Sequence, residues 1–79
     1  MEFKMDELKR ILEEIRPDID FESEKKLIDD GILDSFDIIS MVGEMNDTFG
    51  IEINVQYLLP ENFNSIEAMH ELICRLQDE

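Results

Sequence analysis

Apolar residues recur at helical spacing in three stretches of this 79-residue chain, and that pattern restricts it to a helical fold. The stretches cover 4–16, 35–49 and 66–76. Side chains three or four residues apart lie on one face of a helix, so each stretch can bury an apolar face against the others. The alternating segment 51–55 has no second strand to pair with, and we expect an extended loop there. The sequence therefore predicts an all-α fold in one domain, residues 1–79.

Capping residues mark the ends of these helices. Pro17 should end the first helix, because proline has no N–H to donate and disfavours helical backbone in the residue before it. Asp34 and Asp37 match a capping box at the start of the second helix. Gly50 suits the left-handed backbone that often ends a helix, and Ser65 should cap the last one. The end of the first helix, both ends of the second and the start of the last are thus predicted from local chemistry.

The connections between the helices are expected to differ in character. Residues 18–33 form a long connection without sustained periodicity, and such a connection is often functional in a small domain. A short helical turn is expected within 55–59 or 60–63. The predicted architecture is a small bundle of three main helices and one short helix, with a long loop between helices one and two. Some of the apolar residues in that loop should join the core: Ile19, Phe21, Leu27, Ile28, Ile32 and Leu33.

The inward face of the second helix can be estimated from its apolar spacing. We expect it to comprise Ile39, Met41 or Val42, Met45 and Phe49, with Phe36 and Ile38 widening it. Three methionines are expected on inner faces as core residues: Met5, Met45 and Met69. Gly43 lies within the second helix at a cost of about 1 kcal/mol relative to alanine. Either a neighbour approaches closely there or a partner needs a flat surface, and we slightly favour the second interpretation.

The charge balance restricts the class of partner. The chain has 7 basic and 21 acidic residues, for a formal net charge of −14. Such a surface repels nucleic acid and anionic membranes and attracts basic protein surfaces. Cys74 is the single cysteine, which excludes an intramolecular disulfide and fits a reducing compartment. With no apolar signal core or bilayer-length run, we expect a cytoplasmic monomer without nucleic-acid binding or membrane insertion.

Ser35 is the residue that the neighbouring motifs are arranged to present. It follows the capping residue Asp34, where a glycine-containing loop becomes the second helix. The unpaired backbone N–H groups and the positive end of the helix dipole would favour a phosphate esterified to its hydroxyl. Taken alone, an Asp-Ser pair is better explained as an ordinary helix cap, since such pairs begin many helices.

The order of the surrounding motifs is more specific than the pair. Together they resemble the acyl carrier protein family, in which the serine of an Asp-Ser-hydrophobe motif carries 4′-phosphopantetheine. The resemblance implies a non-catalytic acyl carrier domain in which Ser35 takes the arm from coenzyme A, transferred by a phosphopantetheinyl transferase. The motifs are Gly31-Ile32-Leu33-Asp34-Ser35-Phe36, Phe49-Gly50-Ile51-Glu52-Ile53 and Pro60-Glu61-Asn62-Phe63-Asn64-Ser65-Ile66-Glu67-Ala68.

The same resemblance implies partners and a docking face. The carried acyl or aminoacyl thioester would be loaded by an activating ligase and used by a downstream acyltransferase or synthase. Basic patches on these enzymes would contact the second helix. Phe36 replaces a common leucine, and Ser40, Asn46 and Thr48 replace common acidic residues of fatty-acid synthase carriers. This favours a free-standing D-alanyl, peptidyl or polyketide carrier. The implied partner-binding residues are Asp34, Phe36, Asp37, Val42, Glu44 and Asp47.

The same residues also bear on other functions. The main alternative is an unmodified acidic helical adaptor, in which Asp34-Ser35 is only a cap and the acidic helix docks a basic protein. A serine hydrolase needs a base and a nucleophile elbow; His70 is the only histidine and no elbow surrounds Ser35. We expect His70 to face solvent and Cys74 to be half-buried. The glycines do not stand at the position that a calcium-binding loop requires relative to its acidic ligands, so no metal site is predicted.

Overall fold

The computed structural model describes residues 3–78, and its regular structure is entirely helical over that range. The main helices are α1 (Phe3–Ile15), α2 (Ser35–Phe49) and α4 (Ile66–Gln77), and α3 (Pro60–Phe63) is one short turn. A 3-10 turn also forms at Val55–Tyr57. This confirms the predicted all-α bundle of three main helices and one short helix, with a long loop between the first two.

The helix boundaries follow the capping chemistry of the sequence. Helix α1 ends at Ile15, and Arg16 still donates its N–H to Leu12 O at 2.9 Å before Pro17 interrupts the pattern. Gly50 ends α2 in left-handed backbone, with φ 64° and ψ 41°. Ser65 Oγ accepts the Ala68 N–H at 3.1 Å at the start of α4. Each of these predicted ends is confirmed to within one residue.

The core forms where α1, α2 and α4 pack together, with α3 against α4. Both ends of the long connection between α1 and α2 contribute to it through Phe21, Leu27 and Leu33, as expected. Ile11 also lies buried on α1. At about 25 cal/mol per Å² of buried apolar surface, these side chains are the main source of stability. The core cluster comprises Leu8, Leu12, Phe21, Leu27, Leu33, Met41, Met45, Ile53, Phe63, Ile66, Met69, Leu72 and Ile73.

The connection from α2 to α4 is extended at first and helical later. Within the described residues 3–78 no strand forms, and 51–54 is irregular, as predicted. Ile53 is buried, and its N–H donates to Asn46 Oδ1 at 3.0 Å. The sequence predicted one short helical turn within 55–59 or 60–63, whereas the structure forms a turn in each. None of the helices in the described range combines the length and the apolar character needed to cross a bilayer.

Gly43 has open space around it, and the three methionines lie on inner faces. A Cβ built on Gly43 would have no neighbouring atom within 4 Å, so close approach by another element does not explain this glycine. The other interpretation, a partner that needs a flat surface, stays a prediction. Met45 and Met69 are fully buried and Met5 packs partly buried against the core, which confirms their inner placement.

Candidate functional site

Ser35 is the first residue of α2, and it is exposed. A reciprocal capping box fixes the backbone on either side of it. Asp34 has extended backbone, and its Oδ1 accepts the Asp37 N–H at 2.9 Å. Asp37 Oδ2 accepts the Asp34 N–H at 3.2 Å in return. The predicted cap is confirmed, and it begins the helix at the serine.

The segment before Ser35 is a compact turn rather than a loose loop. In this turn the carbonyl oxygen of Leu27 accepts two hydrogen bonds, from the N–H of Ile32 at 2.9 Å and from the N–H of Leu33 at 3.0 Å. Gly31 lies within the turn, between Leu27 and Ile32. Its φ of 71° is a left-handed conformation that is unfavourable for residues with a Cβ. Because Leu27 and Leu33 are buried, the turn is anchored at both ends in the core. Ser35 therefore projects from a well-packed base.

Arg16 connects the end of α1 to this turn and to α2. Its Nη1 donates to Ile32 O at 3.1 Å and to Asp37 Oδ2 at 2.5 Å. Its Nε and Nη2 donate to the two oxygens of Asp18 at 3.0 and 2.9 Å. These hydrogen bonds hold the pKa of Asp18 below its usual value and raise the pKa of Arg16 above its own. Arg16 thus stays charged and shares the Asp37 carboxylate with the helix cap.

The outer face of α2 carries large apolar side chains. Phe36 is 82% exposed and Ile39 is 67% exposed. The expectation that both lie on the inward face was therefore wrong. Met41 and Met45 form the buried face one turn apart, with Ile38, Val42 and Phe49 partly buried beside them. Around the helix axis, the centre of this buried face lies between the directions of residues 41 and 45. Residues 36 and 39 lie on the opposite side of the helix, toward solvent.

The predicted partner-binding residues divide into exposed and shielded groups. Asp34, Glu44 and Asp47 are exposed along with Phe36, whereas Val42 is half-buried against the core. Asp37 is the most shielded of the acids, with a side chain 14% exposed and paired with Arg16. The charge of Asp37 is thus largely compensated by Arg16 within the chain. The outward negative charge of α2 comes from the other three acids.

A shallow apolar cleft of about 140 Å³ opens beside the first turns of α2. Ile38 brings α2 to its wall, and Leu58 and Leu59 on the opposite segment are 40% and 45% exposed. Val55, 82% exposed, extends the apolar surface of that segment. The sequence did not predict this cleft. Its lining residues are Ile28, Ile38, Leu58, Leu59, Pro60 and Phe63.

The residues considered for other chemistry lie on α4. Cys74 is half-buried as expected, with its Sγ 3.5 Å from Lys4 Nζ and 3.9 Å from His70 Nε2. His70 is half-buried rather than fully solvent-facing, one helical turn before Cys74. Residues 3–78 contain no cluster of three or more His, Cys, Asp or Glu side chains arranged to hold a metal ion.

Sequence reasoning missed two residues that organise the site, Arg16 and Asn64. Asn64 Oδ1 accepts the N–H groups of Ile28 and Asp29, both at 3.0 Å. Both residues act on segments that are distant along the chain, so neither leaves a local pattern. The basic residue at the end of α1 is a weak signal for Arg16, since such residues also favour helix C-termini without any tertiary partner.

Comparison with models of known protein families finds no match for this chain, and comparison with curated proteins finds none either.

Proposed function

We propose that this chain is a carrier protein that tethers acyl or aminoacyl groups as thioesters on a 4′-phosphopantetheine arm attached to Ser35. The observation that carries the proposal is the position of Ser35: exposed, first in α2 and held by a complete capping box. A modifying enzyme can reach a residue there without unfolding the chain. In this proposal the carrier is a cytoplasmic, non-catalytic monomer that takes its arm from coenzyme A.

The electrostatics at Ser35 tolerate a phosphodiester. The N-terminus of a helix stabilises an anion by roughly 0.3–1 kcal/mol at an exposed position. Asp34 and Asp37 oppose this, but the Arg16 guanidinium lies 2.5 Å from Asp37 and offsets its charge. Repulsion from one exposed carboxylate is about 1 kcal/mol at 4 Å in water. The two effects are similar in size, and a covalent ester needs no further binding energy to hold the group.

An apolar cleft beside the first turns of α2 offers a place for a small cargo. When bound, the arm would supply a thiol that holds the cargo as a thioester. Ile38 and Leu59 line the apolar cleft beside the start of α2, where they could shield an apolar group from water. A closed apolar cavity of about 150 Å³ holds one benzene molecule, so this cleft suits a short group rather than a long acyl chain.

The exposed face of α2 supports docking to basic enzymes. Phe36 gives an apolar contact at the start of the helix, next to the exposed Asp34, and the exposed Glu44 and Asp47 add negative charge further along. Complementary charge accelerates association, and a buried aromatic anchor supplies affinity. The proposed partners are a phosphopantetheinyl transferase, an activating ligase and a downstream acyltransferase or synthase. We propose a free-standing carrier of the D-alanyl, peptidyl or polyketide kind.

Intact mass spectrometry tests the proposal directly. The purified chain is incubated with coenzyme A and a transferase of broad specificity, with an established carrier as positive control. We expect one phosphopantetheine to be added, and Ser35→Ala to abolish the addition. Ser40→Ala is the matched control, because Ser40 is also exposed on α2 and its loss should leave the modification intact.

The opposite result would favour the adaptor hypothesis. If the positive control is modified and this chain is not, Ser35 is only part of a helix cap. The exposed Phe36 and Ile39 would then form the docking face of an unmodified acidic protein. Modification that persists in Ser35→Ala would also contradict the proposal, since the arm would be attached elsewhere.

A further inference from the structure

We infer that Arg16 is a positioning residue for Ser35, holding the start of α2 in the orientation in which the serine accepts its modification. This inference rests on the proposed function. It is carried by the contacts that Arg16 makes from the end of α1. Four hydrogen bonds join its guanidinium to Asp18, to Ile32 O and to Asp37.

Two of these contacts lie on either side of Ser35 along the chain. Ile32 O belongs to the turn that leads into the site, and Asp37 is the capping residue two positions after the serine. The same Asp37 Oδ2 also accepts the Asp34 N–H. Arg16 therefore fixes the carboxylate that closes the capping box, and its loss would loosen the backbone before and after Ser35.

The geometry requires an arginine. Its planar guanidinium has five N–H donors in a fixed fork, whereas the lysine ammonium has three donors on a flexible stem. Only the fork can hold Asp18 through two nitrogens and still reach Ile32 O and Asp37. The side chains of Arg16 and Asp37 are 27% and 14% exposed, so solvent screens this pair less than a surface ion pair.

Arg16 also sets the local charge at the modification site. Removing it leaves the Asp37 carboxylate, two residues after Ser35 in the first turn of α2, without its cation. Disorder of the cap and the added negative charge both slow transfer to Ser35. Both effects persist in the complex with the transferase, so they lower kcat in addition to any change in binding.

Two measurements on Arg16→Gln test the inference. Amide hydrogen exchange reports the start of α2, and saturation kinetics with the transferase report the chemistry. We expect the amides of Asp37 and Ile38 to exchange roughly tenfold faster, because their acceptors belong to the loosened cap. The amide of Ile73 in the core of α4 should exchange as in the wild type. We expect kcat to fall roughly tenfold, and KM to rise as well because Phe36 lies on the loosened segment.

Two further variants serve as controls. Arg16→Lys keeps the charge but not the fork, and it should restore transfer in part. Asp18→Asn keeps the contacts of Arg16 with Ile32 O and Asp37, and it should change kcat by less than about threefold. If a variant only destabilises the carrier, a smaller fraction of it is folded and able to bind the transferase. This raises the apparent KM and leaves kcat unchanged.

Several results would overturn the inference. Equal acceleration of exchange at Asp37 and Ile73 would show a general stabilising role, and so would a rise in KM alone. Wild-type exchange at Asp37, or wild-type kcat despite faster exchange, would show that Arg16 does not position the serine. If the wild-type chain takes no phosphopantetheine, the proposed function fails instead. The exchange of Asp37 and Ile38 then still decides whether Arg16 orders the start of α2.

Discussion

Asn64 holds Asp29 across 35 residues of sequence, through both the backbone and the side chain of the aspartate. The Asn64 Oδ1 atom accepts the Asp29 N–H at 3.0 Å, and its Nδ2 donates to Asp29 Oδ2 at 3.1 Å. The same oxygen accepts the Ile28 N–H, and the Asn64 carbonyl accepts the Leu27 N–H at 2.9 Å. One asparagine between α3 and α4 thus stabilises the turn that presents Ser35.

Replacing Asn64 by alanine should destabilise the protein. The variant loses all three side-chain hydrogen bonds and leaves the Ile28 N–H without its acceptor, so we expect a loss of about 1–3 kcal/mol. Urea denaturation followed by circular dichroism measures the free energy of unfolding. Asn54→Ala is the control: Asn54 is exposed and its side chain does not cap the 3-10 turn, so a change within about 0.5 kcal/mol is expected. Equal losses in the two variants would contradict the role of Asn64.

Gly43 within α2 and Gly50 just after it should respond to alanine in opposite directions. Gly50 has φ 64°, where a Cβ costs roughly 1–2 kcal/mol, so Gly50→Ala should destabilise. Gly43 lies within the helix with open space around its Cβ position, so Gly43→Ala should stabilise by up to about 1 kcal/mol. Thermal unfolding of both variants measures this. Destabilisation by Gly43→Ala would show that the position is constrained in a way the structure does not reveal.

Met45 and Ile39 test which face of α2 is buried. Met45→Ala leaves a cavity in the core and should reduce stability by about 2–5 kcal/mol. Ile39→Ala removes a side chain that is 67% exposed and should change stability by about 0.5 kcal/mol or less. If the alanine variant of Met45 does not fold, Met45→Leu should fold with a loss below about 1.5 kcal/mol. A larger loss for Ile39 than for Met45 would reverse the assigned faces.

The pair between Glu67 and Lys25 should give a stability term that depends on pH. Lys25 Nζ lies 2.8 Å from each carboxylate oxygen, and this hydrogen bonding lowers the pKa of Glu67 from its ordinary value of 4.5. A lowered carboxyl pKa contributes stability above 4.5, and the contribution is lost as the pH falls through the folded value. We expect Glu67→Gln to destabilise slightly at pH 7, by roughly 0.2–1 kcal/mol for an exposed pair.

The difference between wild type and Glu67→Gln should shrink as the pH falls below 4.5. Urea denaturation at pH 7 and at successively lower pH values measures it. Lys25→Gln removes the same ion pair from the other side, and its difference from wild type should shrink over the same pH range. A difference that stays constant down to the acid transition would show that the ion pair contributes nothing.

Local chemistry was sufficient to predict the helices and their ends. Asp34 and Asp37 predicted the start of α2, and Gly50 predicted its end, because a cap involves groups only three or four residues apart. The position of Ser35 as the first residue of α2 followed from the same cap. The inward face of α2 was only partly predictable. Its apolar residues surround more than half of the helix, and nothing local distinguishes Ile39, which is exposed, from Met41, which is buried.

The sequence by itself determined an acidic, all-α chain with a capped helix that begins at Ser35. Periodicity and capping act over single helical turns, so the residues concerned are neighbours in the chain. Only the tertiary structure decided how the long connection folds, which side of α2 faces solvent and where the apolar cleft opens. The buried face of α2 is set by the packing of Met41 and Met45 in the core. The path of the long connection is held by Arg16 reaching Asp37 and by Asn64 reaching Asp29. Such contacts join residues 21 and 35 positions apart, and they exist only once the helices have packed.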